Sequence, residues 1–252
     1  MAEDLTELLR RVAARSEGLV ELEPGLSEER MDAWPVPVPP ELRALFRETA
    51  GMRIAVSPVA ANGYVAIEHI SFDHPYNSGG YHGADVSWYQ DHAGGPDSHR
   101  FLYTDTGDGH VYVDVDRESG AWGPVFEFWD ATDTQRIAPS LDAWLRDLAG
   151  HVEAALTTAG TEPRAFGREF LDRWHDSRDR PTRLTPVPVT DARESTDPLL
   201  REVAARLPDT ARLVDLRTTE GLAFVDFRHP VTCRYTRHAN GTILAATPWT
   251  GE

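Results

Sequence analysis

The amino-acid sequence predicts an α+β protein: N-terminal helices, a central antiparallel β-meander and closing helices, then a small C-terminal α+β appendage. Three observations carry this expectation. Apolar residues recur at helical spacing at both ends of the first 178 residues. Between them lie short runs of β-branched and aromatic residues broken by Gly-containing turns. A polar, Pro-rich stretch then precedes a second, shorter series of one helix and about four strands.

Each element has its own signal. Leu5, Leu8, Leu9 and Val12 fall at i, i+3, i+4 and i+7, which predicts an amphipathic helix over residues 4–16. A short helix starts near Ser27. The segment WPVPVPP (34–40) is non-helical, because proline removes amide donors and restrains the preceding residue. Pro40 suits the first turn of a helix through ELRALFRETAG, with Leu42, Leu45 and Phe46 as its apolar stripe. Gly51 is expected to end that helix in the left-handed conformation. Alternation at 64–70, 100–104, 110–115 and 124–130 predicts strands, with Asp108-Gly109 as a hairpin turn. Ser140 is the expected N-cap of a helix bearing Leu141, Trp144, Leu145, Leu148 and Val152. A further helix covers roughly 162–177. The partition is a first domain over 1–178, a Pro-rich linker over 179–196 and a small α+β region over 197–252, where Asn240-Gly241 reads as a second two-residue hairpin turn.

Composition narrows the function classes. The chain has 252 residues and a net charge of −16; every basic residue is arginine, a bias that suggests a GC-rich bacterial genome. Sixteen arginines face thirty-two carboxylates in residues 1–180, against nine and nine in 181–252. The acidic field therefore belongs to the first part. It repels nucleic acid and anionic membranes and speeds encounter with basic partners. A single cysteine, Cys233, allows no intramolecular disulfide. With no apolar run of membrane-spanning length and no secretory pattern at the N-terminus, a cytoplasmic location is expected.

The richest concentration of chemistry-bearing residues spans Leu102–Asp130, with seven carboxylates among aromatic and β-branched residues. Neither register starting at Asp105 nor that starting at Asp114 satisfies an EF-hand loop, which needs glycine at the sixth position and glutamate at the twelfth. Asp114 and Asp116 share one face of a strand, with Val113 and Val115 directed inward, and read as the solvated trim of a hairpin. Six histidines lie between His69 and His110 without metal-ligand spacing. No nucleophile elbow, dinucleotide fingerprint or P-loop is present. No catalytic residue, metal or cofactor is therefore assigned. A metal-dependent hydrolase using Asp114, Asp116 and nearby histidines is the enzyme alternative. Within the polar, Gly-rich stretch 71–99, Trp88 and Tyr89 are the aromatics least suited to a core; exposed aromatics beside acids anchor protein interfaces. The partner-binding candidates are Trp88, Tyr89, Asp91, Asp97, Asp105 and Asp108.

The order of pieces resembles the SUKH superfamily, which includes fungal cell-wall-assembly regulators of the Smi/Knr type and many bacterial immunity proteins. Val38, Pro39, Leu42, Leu45 and Gly51 stand at positions comparable to the family's Pro-led helix. Val111–Asp116 and Gly123–Phe126 resemble its strand pair, and Ser140, Leu141, Trp144 and Leu145 its closing helix. The resemblance runs from residue 1 to about 155. It implies a SUKH-like domain that binds other proteins without catalysis. Many bacterial members are thought to neutralise a cognate toxin, often a nuclease. The expected function is thus an immunity protein for a basic toxin, with a cell-wall-type regulatory binder as the alternative.

Overall fold

The computed structural model describes residues 3–34, 37–56, 67–74, 99–104, 110–115, 120–130, 133–177, 181–219, 222–226, 233–239 and 241–248. Helix α1 (Leu5–Arg15) follows the predicted periodicity, burying Leu5, Leu8, Leu9 and Val12. Asp4 caps it by accepting from the Thr6 amide at 2.9 Å. Strand β1 (Val20–Leu22) leads to α2 (Glu28–Asp32), capped by Ser27, and α3 (Pro40–Glu48), which begins on Pro40 as expected.

Gly51 does not end α3. The helix stops at Glu48, Thr49 is extended at φ −149°, and Gly51 opens β2 (Gly51–Ile54). The glycine is needed for a close approach instead. A Cβ there would stand 2.1 Å from the carbonyl oxygen of Ile70, in the neighbouring β3 (His69–Ser71). Strands β1, β2 and β3 form a three-stranded antiparallel sheet.

Strands β4 (His99–Thr104), β5 (His110–Val115) and β6 (Trp122–Asp130) stand where alternation put them. The Asp108-Gly109 turn lies outside the described residues, while the flanking pair Thr104–His110 is in antiparallel register. Strand β7 (Asp133–Ala138) was not foreseen; polar residues occupy positions on both of its sides. Ser140 caps α4 (Leu141–Ala159) through the Ala143 amide at 3.1 Å, and α5 (Pro163–Asp176) packs back on it with Trp174 edge-on to Trp144 at 6.3 Å.

The C-terminal region is built into this core. Residues 179–196, expected as a linker, contain β8 (Thr182–Leu184), β9 (Val187–Pro188) and α6 (Val189–Arg193). After α7 (Pro198–Ala205) come β10 (Arg212–Asp215), β11 (Ala223–Asp226), β12 (Cys233–His238) and β13 (Ile243–Pro248). Strand β11 pairs antiparallel with β7, and β8 pairs parallel with β11, so one six-stranded sheet runs β4-β5-β6-β7-β11-β8. Pro188 is tolerated because β9 lies at the edge of the second sheet, ordered β12-β13-β10-β9, where a missing amide donor leaves no central ladder broken. The β12–β13 connection spans residues 239–242 between the paired His238 and Ile243, longer than the two-residue turn expected at Asn240-Gly241. Ala239 and Gly241 supply its positive φ angles, 54° and 76°.

The result is four layers. On one face of the six-stranded sheet, Val111, Val113, Val125 and Ala138 join the core of α1, α3, α4 and α5. On the other, Tyr112 and Phe126 meet Val214, Leu216, Leu244 and Ala246 of the second sheet and its adjoining turn. That sheet's far face, with Leu213, Ile243 and Ala245, is closed by α6 and α7. The class is α+β, as the sequence predicted.

Candidate functional site

Three chain segments converge where α3, β6 and α4 begin. The Pro-rich entry to α3 (37–42), the start of β6 (120–122) and the start of α4 (140–142) enclose a cleft of about 540 Å³. Its walls follow from the sequence. Prolines 37, 39 and 40 hold the first segment extended until Pro40 initiates the helix. Gly120 takes φ +71°, and a Cβ there would lie 2.4 Å from Cγ of Pro37, so only glycine lets the two segments close. Next to it the Trp122 indole Nε1 donates to the Pro37 carbonyl oxygen at 3.2 Å.

Trp122 is held from below. Its ring stacks on Trp34 with centroids 6.4 Å apart and contacts Phe46 at 5.6 Å, and Phe46 lies 4.8 Å from Phe72. Phe46 and Phe72 are buried, whereas Trp122 is half-exposed. A rigid aromatic with one open side is the kind of group that anchors a partner at low entropic cost.

The rim is acidic. Glu41 and Asp142 line the cleft, and among the described residues no basic side chain does. Asp142 is gripped by Arg146 from one turn further along α4, with Arg146 Nε 2.8 Å from Oδ2. The Arg146 guanidinium is raised above its ordinary pKa, first by that hydrogen bond. Among the described residues Glu41 has no ion-pair partner.

A second cleft, of about 330 Å³, opens on the exposed face of the three-stranded sheet. Glu21, Arg53 and His69 stand in register across its three strands. His69 Nε2 lies 2.8 Å from Glu23 Oε1, and Arg53 Nε donates to the same oxygen at 3.3 Å. The arrangement is an open ion-pair network of modest energetic weight.

The six partner-binding candidates, Trp88, Tyr89, Asp91, Asp97, Asp105 and Asp108, lie outside the described residues. So does Asp116; Asp114 is placed on β5 by its backbone, with Val113 and Val115 buried as expected. Among the described residues no group of three or more His, Cys, Asp or Glu side chains could hold a metal ion. No helix among them is long and apolar enough to cross a membrane. Sequence reasoning did not find the cleft. The sequence assigns Pro39, Leu42, Ser140 and Leu141 to helix starts and apolar stripes and singles out none of the cleft's residues for contact. The available signal was the pairing of WPVPVPP with a Gly-Ala-Trp-Gly turn, two stiff segments that leave an aromatic between them.

A helix begun on Pro40, an antiparallel meander and a closing helix surround an open aromatic cleft, in an α+β arrangement consistent with a SUKH domain. Residues 28–147 match the model of the SMI1 / KNR4 family (SUKH-1). The match spans α2 to the first turns of α4 and contains all three segments of the cleft. No curated protein and no solved structure matches the chain.

Proposed function

We propose that the protein is a non-catalytic interaction module of the cytoplasm, an immunity protein that neutralises a basic toxin domain by binding it. The observation that carries this reading is the concentration of the entire net charge of −16 in residues 1–180, the part that contains the SUKH-1 match. A toxin that works on nucleic acid presents a basic surface, and an acidic, preformed partner reaches it fast and in register. Trp88, Tyr89, Asp91, Asp97, Asp105 and Asp108 remain partner-contact proposals, to which the cleft around Trp122 is added.

The test is co-expression with a basic, toxin-like protein encoded beside it. Growth should be rescued and a complex recovered, with affinity falling about tenfold as ionic strength rises from about 0.05 to about 0.3 M. Failure to rescue growth together with failure to form a complex removes the immunity reading. Turnover of a substrate that disappears in Asp114→Ala would replace it with an enzyme.

A further inference from the structure

We propose that the cleft between α3, β6 and α4 receives an arginine-bearing, Pro- or Leu-flanked segment of the partner protein, with the guanidinium directed to Glu41. The inference rests on the binding-module reading and names the chemistry of its contact.

The physical case has four parts. First, the described surface is nearly free of large exposed apolar side chains; Val187, at 41% exposure, is the single one. The opposite sheet face is covered by the chain's own β10 and β13 through Tyr112 and Phe126. Among the described residues the cleft is therefore the place that offers grouped apolar contact, with Pro37, Pro40 and Trp122 accessible. Second, the walls are set before any partner arrives: Gly120 against Pro37, the Trp122 indole on the Pro37 carbonyl, and the ring stack beneath. Such pre-organisation lowers the ordering cost of binding.

Third, the polarity selects a cation. Two helices begin at the cleft, and helix N-termini ordinarily attract anions through free amides. Here Pro40 has no amide hydrogen and the Ala143 amide is taken by Ser140 Oγ, so the donor set is thinned, and the first-turn amides that α3 leaves uncapped sit beside the Glu41 carboxylate. Carboxylates occupy the first turns instead, Glu41 on α3 and Asp142 on α4. An incoming anion would meet Glu41, and among the described residues no basic side chain lines the cleft to offset it. Fourth, arginine fits better than lysine. Its planar guanidinium lies on an indole face while still donating to a carboxylate, whereas an ammonium retains its hydration shell.

The probe is an acetylated and amidated heptapeptide, Ala-Pro-Leu-Arg-Leu-Pro-Ala, with counterparts carrying Gln or Glu for the arginine. The readout is the indole N–H resonance of Trp122 in the full chain, assigned by its loss in Trp122→Phe. The arginine peptide should shift that resonance saturably, binding roughly tenfold more tightly than the Gln peptide, the scale of one charge-assisted contact. Glu41→Gln should abolish this difference, and the exposed position of Glu41 leaves the fold intact. Equal binding of all three peptides, no shift of the Trp122 signal, or an unchanged preference in Glu41→Gln overturns the proposal. A shift that tracks protein concentration without peptide also overturns it, because a second copy would then be the occupant. The binding-module reading fails separately. If a toxin complex forms with Glu41→Arg as tightly as with the native chain, only the cleft assignment falls; if peptide binds but no toxin does, only the immunity reading falls.

Discussion

The two faces of the six-stranded sheet are built on different principles. The helix face takes Val111, Val113, Val125 and Ala138 and packs them on Leu141, Trp144, Leu145 and Leu148, residues close in sequence and within or beside the SUKH-1 match. The other face takes Tyr112, Phe126 and Val225 and packs them on Val214, Leu216, Leu244 and Ala246, about a hundred residues away from the first two. A buried cation reinforces it. Arg136 on β7, 5% exposed, donates to the carbonyl oxygens of Leu216 at 2.8 Å and Thr219 at 2.6 Å. Burial lowers its pKa from the ordinary arginine value. The comparison teaches that the chain from α1 through α5 completes one face and takes the cover of the other from the C-terminal region. That cover leaves the cleft on the helix side open.

The sharpest way to break this picture is Phe126→Ala. Phe126 is fully buried and stacked on Tyr112 at 5.8 Å, so truncation opens a cavity between the two sheets. A loss of about 3–5 kcal/mol is expected. If the C-terminal region and the SUKH-1 segment are one cooperative unit, chemical denaturation should still show a single transition, displaced to lower denaturant. Two separated transitions would mean that the cover is an independent body resting on the sheet.

Arg136→Ala should come next, at about 3 kcal/mol, because two carbonyls lose charge-assisted donors in a buried setting. Arg136→Lys retains the charge but cannot span both oxygens, and should recover only part of the loss. Hydrogen exchange locates the effect. Protection should fall in β11, β10 and the 216–219 turn, while α4 stays protected. Uniform loss across α4 as well would erase the distinction between the faces.

Much of the helix face was legible in the sequence and little of its counterpart was. Helices α1, α3 and α4 announce themselves through periodic leucines and through Asp4, Pro40 and Ser140 at their starts. Local rules suffice there. Strand β7 offers DTQRIA, whose arginine reads as solvent-facing until β11 and the 216–219 turn arrive to bury it. Strand β13 reads ILAA without alternation because it is covered on both faces, by the large sheet and by α6 and α7. Strands β8 and β9 have only three and two residues, too few for any pattern, and Pro181, Pro186 and Pro188 in and beside them look like linker chemistry. Gly51 was misjudged for a related reason: the backbone that crowds it, at Ile70, is distant in sequence. The cleft suffered the same fate, since Pro37, Gly120 and Trp122 meet only after β6 has folded against α3.

The smallest effect separates the two regions by pH. His238, on β12 of the covering sheet, has its pKa pushed below the ordinary value, first by burial and then by the charge of Arg206. Its Nε2 lies 3.1 Å from the Thr236 hydroxyl. A histidine that resists protonation when folded binds fewer protons than its unfolded form, so stability rises with pH across that window. The contribution is complete above the unfolded value of about 6.5 and is lost as pH falls from there through the depressed folded value. Carboxylates of the helix side behave in a lower window. Glu28 is held down by Arg47 and Arg43, and Glu162 by the amides of Ala165 and Arg164. Their stabilisation persists above the ordinary value of 4.5 and fades only as pH drops through their lowered values. Urea midpoints at pH 7.5 and pH 5 check the sign. The stability of the native chain relative to His238→Gln should diminish between these two conditions, before Glu28 and Glu162 begin to titrate. A difference that does not change with pH would place the acid sensitivity outside the covering sheet.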